Sequence, residues 1–180
     1  MANLVDKKVL FVDLDDTIIK TSTGKTFPEH LFDFVIKKEV LDKIVEVFPR
    51  AKYFFVVSNQ SGVGTYISKE EFNIKFKSIL EIIQKYLRIK YNETYKIPIE
   101  PTVDGTYCTE KDGPNRKPNT GMLNRFVDMY SIVARGFYTK ENMIMIGDAS
   151  GKEGDYSDSD KQCALNYGID YIDVEKLLEV

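Results

Sequence analysis

Histidine is nearly missing from this chain: His30 is the single one among 180 residues. One imidazole cannot build a histidine-ligated zinc site, and a Ser-His-Asp relay would depend on His30 alone. Cysteine is almost as scarce. Cys108 and Cys163 form no C-x-x-C pair, which removes thiolate metal cages and dithiol redox motifs. Neither sign of charge dominates, since 25 basic and 28 acidic side chains leave a net charge of −3. Bulk electrostatics would therefore not hold the protein on nucleic acid, and only a local basic groove could. Long hydrophobic runs are missing too. Stretches such as Tyr53 to Val57 fall far short of the roughly 20 residues that span a bilayer. The amino terminus also lacks the apolar segment of a signal peptide. The expectation is a soluble, intracellular protein with no membrane partner and with reduced thiols. Catalysis, on this inventory, must run on carboxylates, hydroxyls, lysines and a hard metal ion.

An apolar fraction of 43% supports a real core, and the length fits one domain over residues 1–180. Short β-branched runs read as strands: Lys8 to Val12, Tyr53 to Val57, Met143 to Ile146, Tyr171-Ile172 and a weaker Gly105 to Cys108. Runs of this kind bounded by turn residues suit strands buried on both faces of a parallel sheet. Helical spacing falls between them. Val40, Leu41, Ile44, Val45 and Phe48 form one stripe, and a capping box at Ser68 to Glu71 opens another through Phe72, Phe76, Ile79, Leu80, Ile83 and Leu87. Further helices are expected from Thr120 through Ile132, over 161–166 and over 174–178. Residues 91–118 read as one long irregular excursion. The alternation predicts an α/β fold, a three-layer α/β/α sandwich around a mostly parallel sheet.

Ligands of such sheets bind beyond the carboxyl ends of the strands. At the first end stand Asp13, Asp15 and Asp16, three acids whose repulsion a cation or a phosphoryl group between them would relieve. Asp13 and Asp15 share strand parity, so both would face one cavity if the strand continued that far. By itself such an acidic turn reads as a polar cap. The second end offers Ser58 and Asn59 with Gly62 and Gly64, suited to an anion-holding nest. Arg116-Lys117-Pro118 precedes a helix, and Gly147-Asp148 ends another strand. Thr23-Gly24-Lys25-Thr26 ends like a phosphate-binding loop, but Ile19 stands where that loop needs glycine.

In this order the four elements resemble the signature of haloacid dehalogenase-type phosphohydrolases. Gly24-Lys25-x-Phe27-Pro28, Arg116-Lys117-Pro118-x-Thr120-Gly121 and Asp155-Tyr156-Ser157-x-x-Asp160 narrow the resemblance to the 3′-phosphatase domain of polynucleotide kinase/phosphatase. It covers about residues 8 to 178. The resemblance implies Asp13 as nucleophile forming an aspartyl-phosphate, and Asp15 as general acid and then base. It implies Mg²⁺ on Asp13, Asp148 and the backbone carbonyl of Asp15, with Asp160 behind them. Ser58 and Lys117 would hold the phosphoryl oxygens, with Thr17, Asn59 and Arg116 completing the binding set. Asp16 stands where many relatives have glycine. Thr65, Tyr66 and Ile67 stand where the animal enzymes are basic.

About 40 residues separate Thr17 from Ser58, too few for a large cap domain, so the cleft should be open to a polymer end. Tyr66, Tyr107, Lys25 and Arg116 are candidates to touch it. The implied substrate is a polynucleotide 3′ end, DNA ahead of RNA, handled by a monomer with a separate kinase or ligase as partner. The competing readings are a phosphatase for a sugar or histidinol phosphate and a non-catalytic phosphate-binding module.

Overall fold

The computed structural model describes residues 3–25, 28–96, 98, 100–133, 135–136 and 138–180. Five parallel strands form the sheet: β1 (Val9–Val12), β4 (Tyr53–Asn59), β5 (Thr102–Cys108), β6 (Met143–Gly147) and β7 (Asp170–Asp173), in the order β5-β4-β1-β6-β7. A two-stranded antiparallel ribbon, β2 (Ile19–Lys20) and β3 (Val35–Ile36), stands apart from it. The helices are α1 (Lys38–Val47), α2 (Lys69–Tyr95), α3 (Gly121–Met129), α4 (Ser159–Tyr167) and α5 (Val174–Glu179).

Alternation along β1 divides the core in two. Leu10 and Val12 join the buried side chains of α1, α2 and α5, while Val9 and Phe11 join those of α3 and α4. The sheet is thus covered on both faces, which makes three layers. On the α3 side Phe55 stacks on Phe126 with ring centroids 4.3 Å apart. On the α2 side the helix comes so close to β5 that a Cβ at Gly105 would meet the Phe76 ring at 2.7 Å. None of the helices among the described residues is long and apolar enough to cross a membrane.

The five expected strands are all present. The capping box forms as read: Ser68 Oγ accepts from the Glu71 amide at 3.2 Å, and the Glu71 carboxylate accepts from the Ser68 amide at 3.1 Å. Two expectations fail. Residues 91–118 are not irregular throughout, because α2 runs on to Tyr95 and β5 occupies Thr102–Cys108. Tyr91 and Tyr95 extend the helix by donating, both at 2.7 Å, to the carbonyls of Phe48 and Val45 at the end of α1. Helix α3 stops at Met129 rather than reaching Ile132, since Ser131 has φ +51°, which a helix cannot continue through. Ile132 is still buried, from the turn beyond.

Strands β4 and β5 lie on one side of β1, and β6 and β7 on the other, so the chain reverses its direction of travel at β1. The crevice beyond its carboxyl end is where such sheets bind ligands. No inserted domain covers that end among the described residues. Among the described residues, the β2–β3 ribbon and the turns that adjoin it are the only structure added between β1 and α1 there.

Candidate active site

Strand β1 ends at Val12, earlier than parity between Asp13 and Asp15 requires. Asp13 keeps the register: its amide donates to Ile146 O at 2.9 Å, and its side chain is buried toward the α4 side. Leu14 then turns into the opposite core, and Asp16 takes φ +57°. Aspartate adopts this left-handed conformation more readily than most residues, which explains how it replaces glycine here. The turn carries the Asp15 carboxylate away from Asp13 to the exposed mouth, where Gln60 donates to it. The two acids thus occupy different depths of one cleft.

Around Asp13 three segments converge. Lys117, 3% exposed, directs its ammonium to Asp13 Oδ1, to Asp160 Oδ1 at 2.7 Å and to Val57 O at 2.9 Å. All three of its hydrogens are matched. Asp160 comes from the first turn of α4 and accepts from the Ala149 amide at 3.2 Å. Asp148 follows β6, half-buried, and accepts from Thr17 Oγ1 at 3.1 Å. One oxygen from each of Asp13, Asp148 and Asp160 lies within 4.8 Å of the others. Gly147 makes this approach possible, because a Cβ there would stand 2.2 Å from Asp160 Oδ2.

Such crowding shifts the protonation of Asp13, Asp148 and Lys117. Burial raises the Asp13 pKa, Lys117 opposes that, and the charges of Asp160, Asp148 and Asp15 add to the rise. Burial and then the charge of Asp160 push Asp148 up to about 6. For Lys117, burial pulls down, but the charges and hydrogen bonds of Asp13 and Asp160 together hold it above the ordinary lysine range. Asp15 is also raised, by the protein packed around it, against the pull of the Gln60 bond. The cluster is a pocket of oxygen donors that is unfavourable while ionised, and it could hold a metal ion. An all-oxygen donor set of this charge fits a hard divalent cation.

The Asp148 shift makes a prediction. In the unfolded chain this group titrates near 3.8, and in the folded protein near 6. Below the lower value both states hold the proton. As pH rises from the lower value to the higher, the unfolded chain ionises while the folded one retains its proton, so stability falls. Melting curves in EDTA should therefore decline through that window. Asp148→Asn should flatten the decline, melt higher than wild type at pH 7.5 in EDTA, and lose the rise in melting temperature that Mg²⁺ gives the wild type. An unchanged profile in the variant would remove Asp148 as the source.

The remaining expected residues sort by their partners. Ser58 is buried, and its Oγ accepts from Gln60 Nε2 at 2.8 Å, which leaves its own hydrogen free for a ligand. Asn59 differs from the expectation of substrate contact. Its side chain is committed to Lys117, donating to the carbonyl and accepting from the amide, both at 3.0 Å. It fixes the lysine. Arg116 likewise spans loops, from Ser61 Oγ at 2.7 Å to Glu110 O at 3.2 Å. Tyr107 packs edge-on against Phe72 and Phe76 and bonds Asn73, and Lys25 pairs with Glu29. Tyr66 remains 91% exposed. Thr26 and Phe27 lie outside the described residues. Two contributors were not assigned from the sequence: Gln60, which links Ser58 to Asp15, and Asp160 as a full member of the acid cluster. The signal for Asp160 was available, since it occupies an inward position on α4 with Cys163, Ala164 and Tyr167.

Relatives with known descriptions share this arrangement's sequence and fold. The chain is 28% identical over 168 residues to the bifunctional polynucleotide phosphatase/kinase of Schizosaccharomyces pombe, covering 92% of this chain and 36% of that one. It is equally 28% identical over 181 residues to the histidine biosynthesis bifunctional protein HisB of Legionella pneumophila, covering 94% and 42%. The chain thus spans less than half the length of either relative. The fold matches the crystal structure of D,D-heptose 1,7-bisphosphate phosphatase from B. bronchiseptica, complexed with magnesium and phosphate. That match has a TM-score of 0.61 at 15% identity, over 91% of this chain and 78% of that one. Residues 8–177 match the profile of the family described as polynucleotide kinase 3 phosphatase, and the chain belongs to that family, among the haloacid dehalogenase-like phosphatases.

Proposed function

We propose that the chain is a Mg²⁺-dependent phosphomonoesterase that removes the 3′-phosphate from polynucleotide ends, DNA before RNA, in repair. The observation that carries the reading is the convergence of Asp13, Asp148 and Asp160 at the open end of β1, with Asp13 and Asp160 paired to one buried lysine. Asp13, Asp148 and the Asp15 carbonyl would hold the ion, with Asp160 behind them. Bound there, the cation supplies positive charge that offsets the repulsion between Asp13 and a phosphate dianion.

The chain's own residues do the rest. Ser58 donates to a phosphoryl oxygen, and the charge of Lys117, whose three hydrogens rest on Asp13, Asp160 and Val57 O, draws the phosphoryl group in line with Asp13. An Asp13 oxygen bonds to phosphorus as the ester P–O bond breaks, and the Asp15 proton goes to the departing oxygen. Water then attacks the aspartyl-phosphate, Asp15 takes its proton, and inorganic phosphate leaves with Asp13 restored. A carboxyl held above its usual range, as Asp15 is, keeps a proton to give closer to neutral pH. Thr17 orients Asp148, and Asn59 orients Lys117.

Equal identity to HisB supports a second reading, a phosphatase for a small phosphorylated metabolite. One assay separates the two. Phosphate release is measured with Mg²⁺ on an oligonucleotide ending in 3′-phosphate, its 5′-phosphorylated isomer, histidinol phosphate and hexose phosphates. Selective loss of the 3′-phosphate supports the leading reading. Faster turnover of the metabolites replaces it with the second.

A further inference from the structure

Three lysines are buried among the described residues, and two of them have clear partners. Lys7 donates to Glu141 O at 2.7 Å and pairs with Asp170, and Lys117 has the three acceptors described above. The third is Lys75. It is 5% exposed and lies in the inward stripe of α2 with Phe72, Phe76, Ile79 and Ile83, yet its ammonium makes no hydrogen bond or ion pair among the described residues. Its neighbours are the face of Phe34, 5.6 Å from nitrogen to ring centroid, and at longer range the charges of Asp15 and Asp33. Neither acid bonds it. Gln60 takes one oxygen of Asp15, while both oxygens of Asp33 are filled by Ser22, Thr23 and the amides of Thr23 and Glu29.

The Lys75 ammonium is largely taken from water and meets no protein acceptor among the described residues, so ligand oxygens would fill donors that otherwise have only the edge of the solvent. Burial pulls its pKa below the ordinary lysine range despite both acids. The position of Lys75 points to which ligand. Its charge acts on Asp15, the residue proposed to protonate the departing oxygen, which points to the side of the substrate that leaves.

We propose that Lys75 is the cation of a second anion subsite, which selects substrates carrying another phosphate a few bonds beyond the ester that is cleaved. The proposal rests on the phosphomonoesterase reading above. In a nucleotide with a 3′-phosphate, the 5′-phosphate or phosphodiester lies five bonds from the ester oxygen, and a sugar bisphosphate offers the same chemistry from another source. With the wild-type protein and Mg²⁺, kcat/KM is compared within two pairs. One pair is thymidine 3′-phosphate against thymidine 3′,5′-bisphosphate, and the other is fructose 6-phosphate against fructose 1,6-bisphosphate.

The expected result is an advantage of about tenfold or more for the two-phosphate member of the preferred pair, carried mainly by KM and weakened by salt. Lys75→Gln should abolish most of that advantage, and Lys75→Arg should keep part of it. A lysine that only balances Asp15 and Asp33 predicts something else, namely an equal loss on both members. That outcome overturns the proposal. So does the absence of any two-phosphate advantage in wild type, a result that needs no variant to fold. Preference for the fructose pair overturns the polynucleotide reading while still testing Lys75, and turnover of none of the four overturns both.

Discussion

Asp13→Asn is expected to lose at least about a thousandfold in kcat on any phosphomonoester and to trap no phosphoryl-enzyme after acid quench, while the fold persists. Asparagine is isosteric with aspartate, so the carbonyl oxygen that faces Lys117 can remain. What is lost is the nucleophile and one negative charge. Because burial and three neighbouring acids already push Asp13 toward its protonated form, the neutral amide should not unfold the metal-free protein. Rapid-quench labelling with a ³²P-substrate, alongside a melting curve, checks both halves. Retained turnover at even a tenth of wild type would mean that Asp13 is not the attacking group.

The position of Asp13 is legible in the sequence because the sheet is parallel. A strand buried on both faces has to be apolar throughout, so the first carboxylate after Val9–Val12 marks the strand's end, and strand ends are where this architecture binds ligands. The same reasoning points to Ser58 and Asp148. It is incomplete at Asp15. Parity would set Asp13 and Asp15 side by side only if the strand continued that far, but it stops at Val12 and the turn through Asp16 puts Asp15 at the mouth of the same cleft. Turn geometry depends on a single φ angle, and periodicity carries no information about it.

Lys75 escapes for a related reason. It is a charged residue in the inward stripe of a helix, and a reading that collects apolar positions passes over it. The charge is the anomaly that marks it. Asn59 misleads in the opposite direction. Its place in a polar loop suggests substrate contact, whereas its amide is taken by the backbone of Lys117, 58 positions away, a pairing that no local pattern encodes.

The second large effect expected is at Lys117, where stability and catalysis depend on the same cation. Its ammonium is the one partner that Asp13 and Asp160 share, and all three groups are buried. Lys117→Met leaves two carboxylates facing each other in a dry site, and breaking a buried pair in this way costs about 3–5 kcal/mol. In a chain of this size that corresponds to a drop of roughly 6–20 °C in melting temperature. The sign of the pH dependence follows from the direction of the shifts. Wild-type Lys117 sits above the ordinary lysine range, so its contribution is complete at and below neutral pH and is lost only in strong alkali. In the variant the penalty lies in ionised Asp13, whose folded pKa, already raised by burial, rises further without the lysine. The folded state then binds protons that the unfolded chain has released, and stability falls as pH rises from about 4 upward. The gap between wild type and Lys117→Met should therefore be narrow at pH 5 and wide at pH 8 in EDTA. Mg²⁺ should narrow it again at pH 8 by replacing the missing positive charge, yet it should not restore turnover, because the phosphoryl group still lacks the fixed lysine charge beside Asp13. A gap of equal width at both pH values would mean that Lys117 contributes its packing and not its charge.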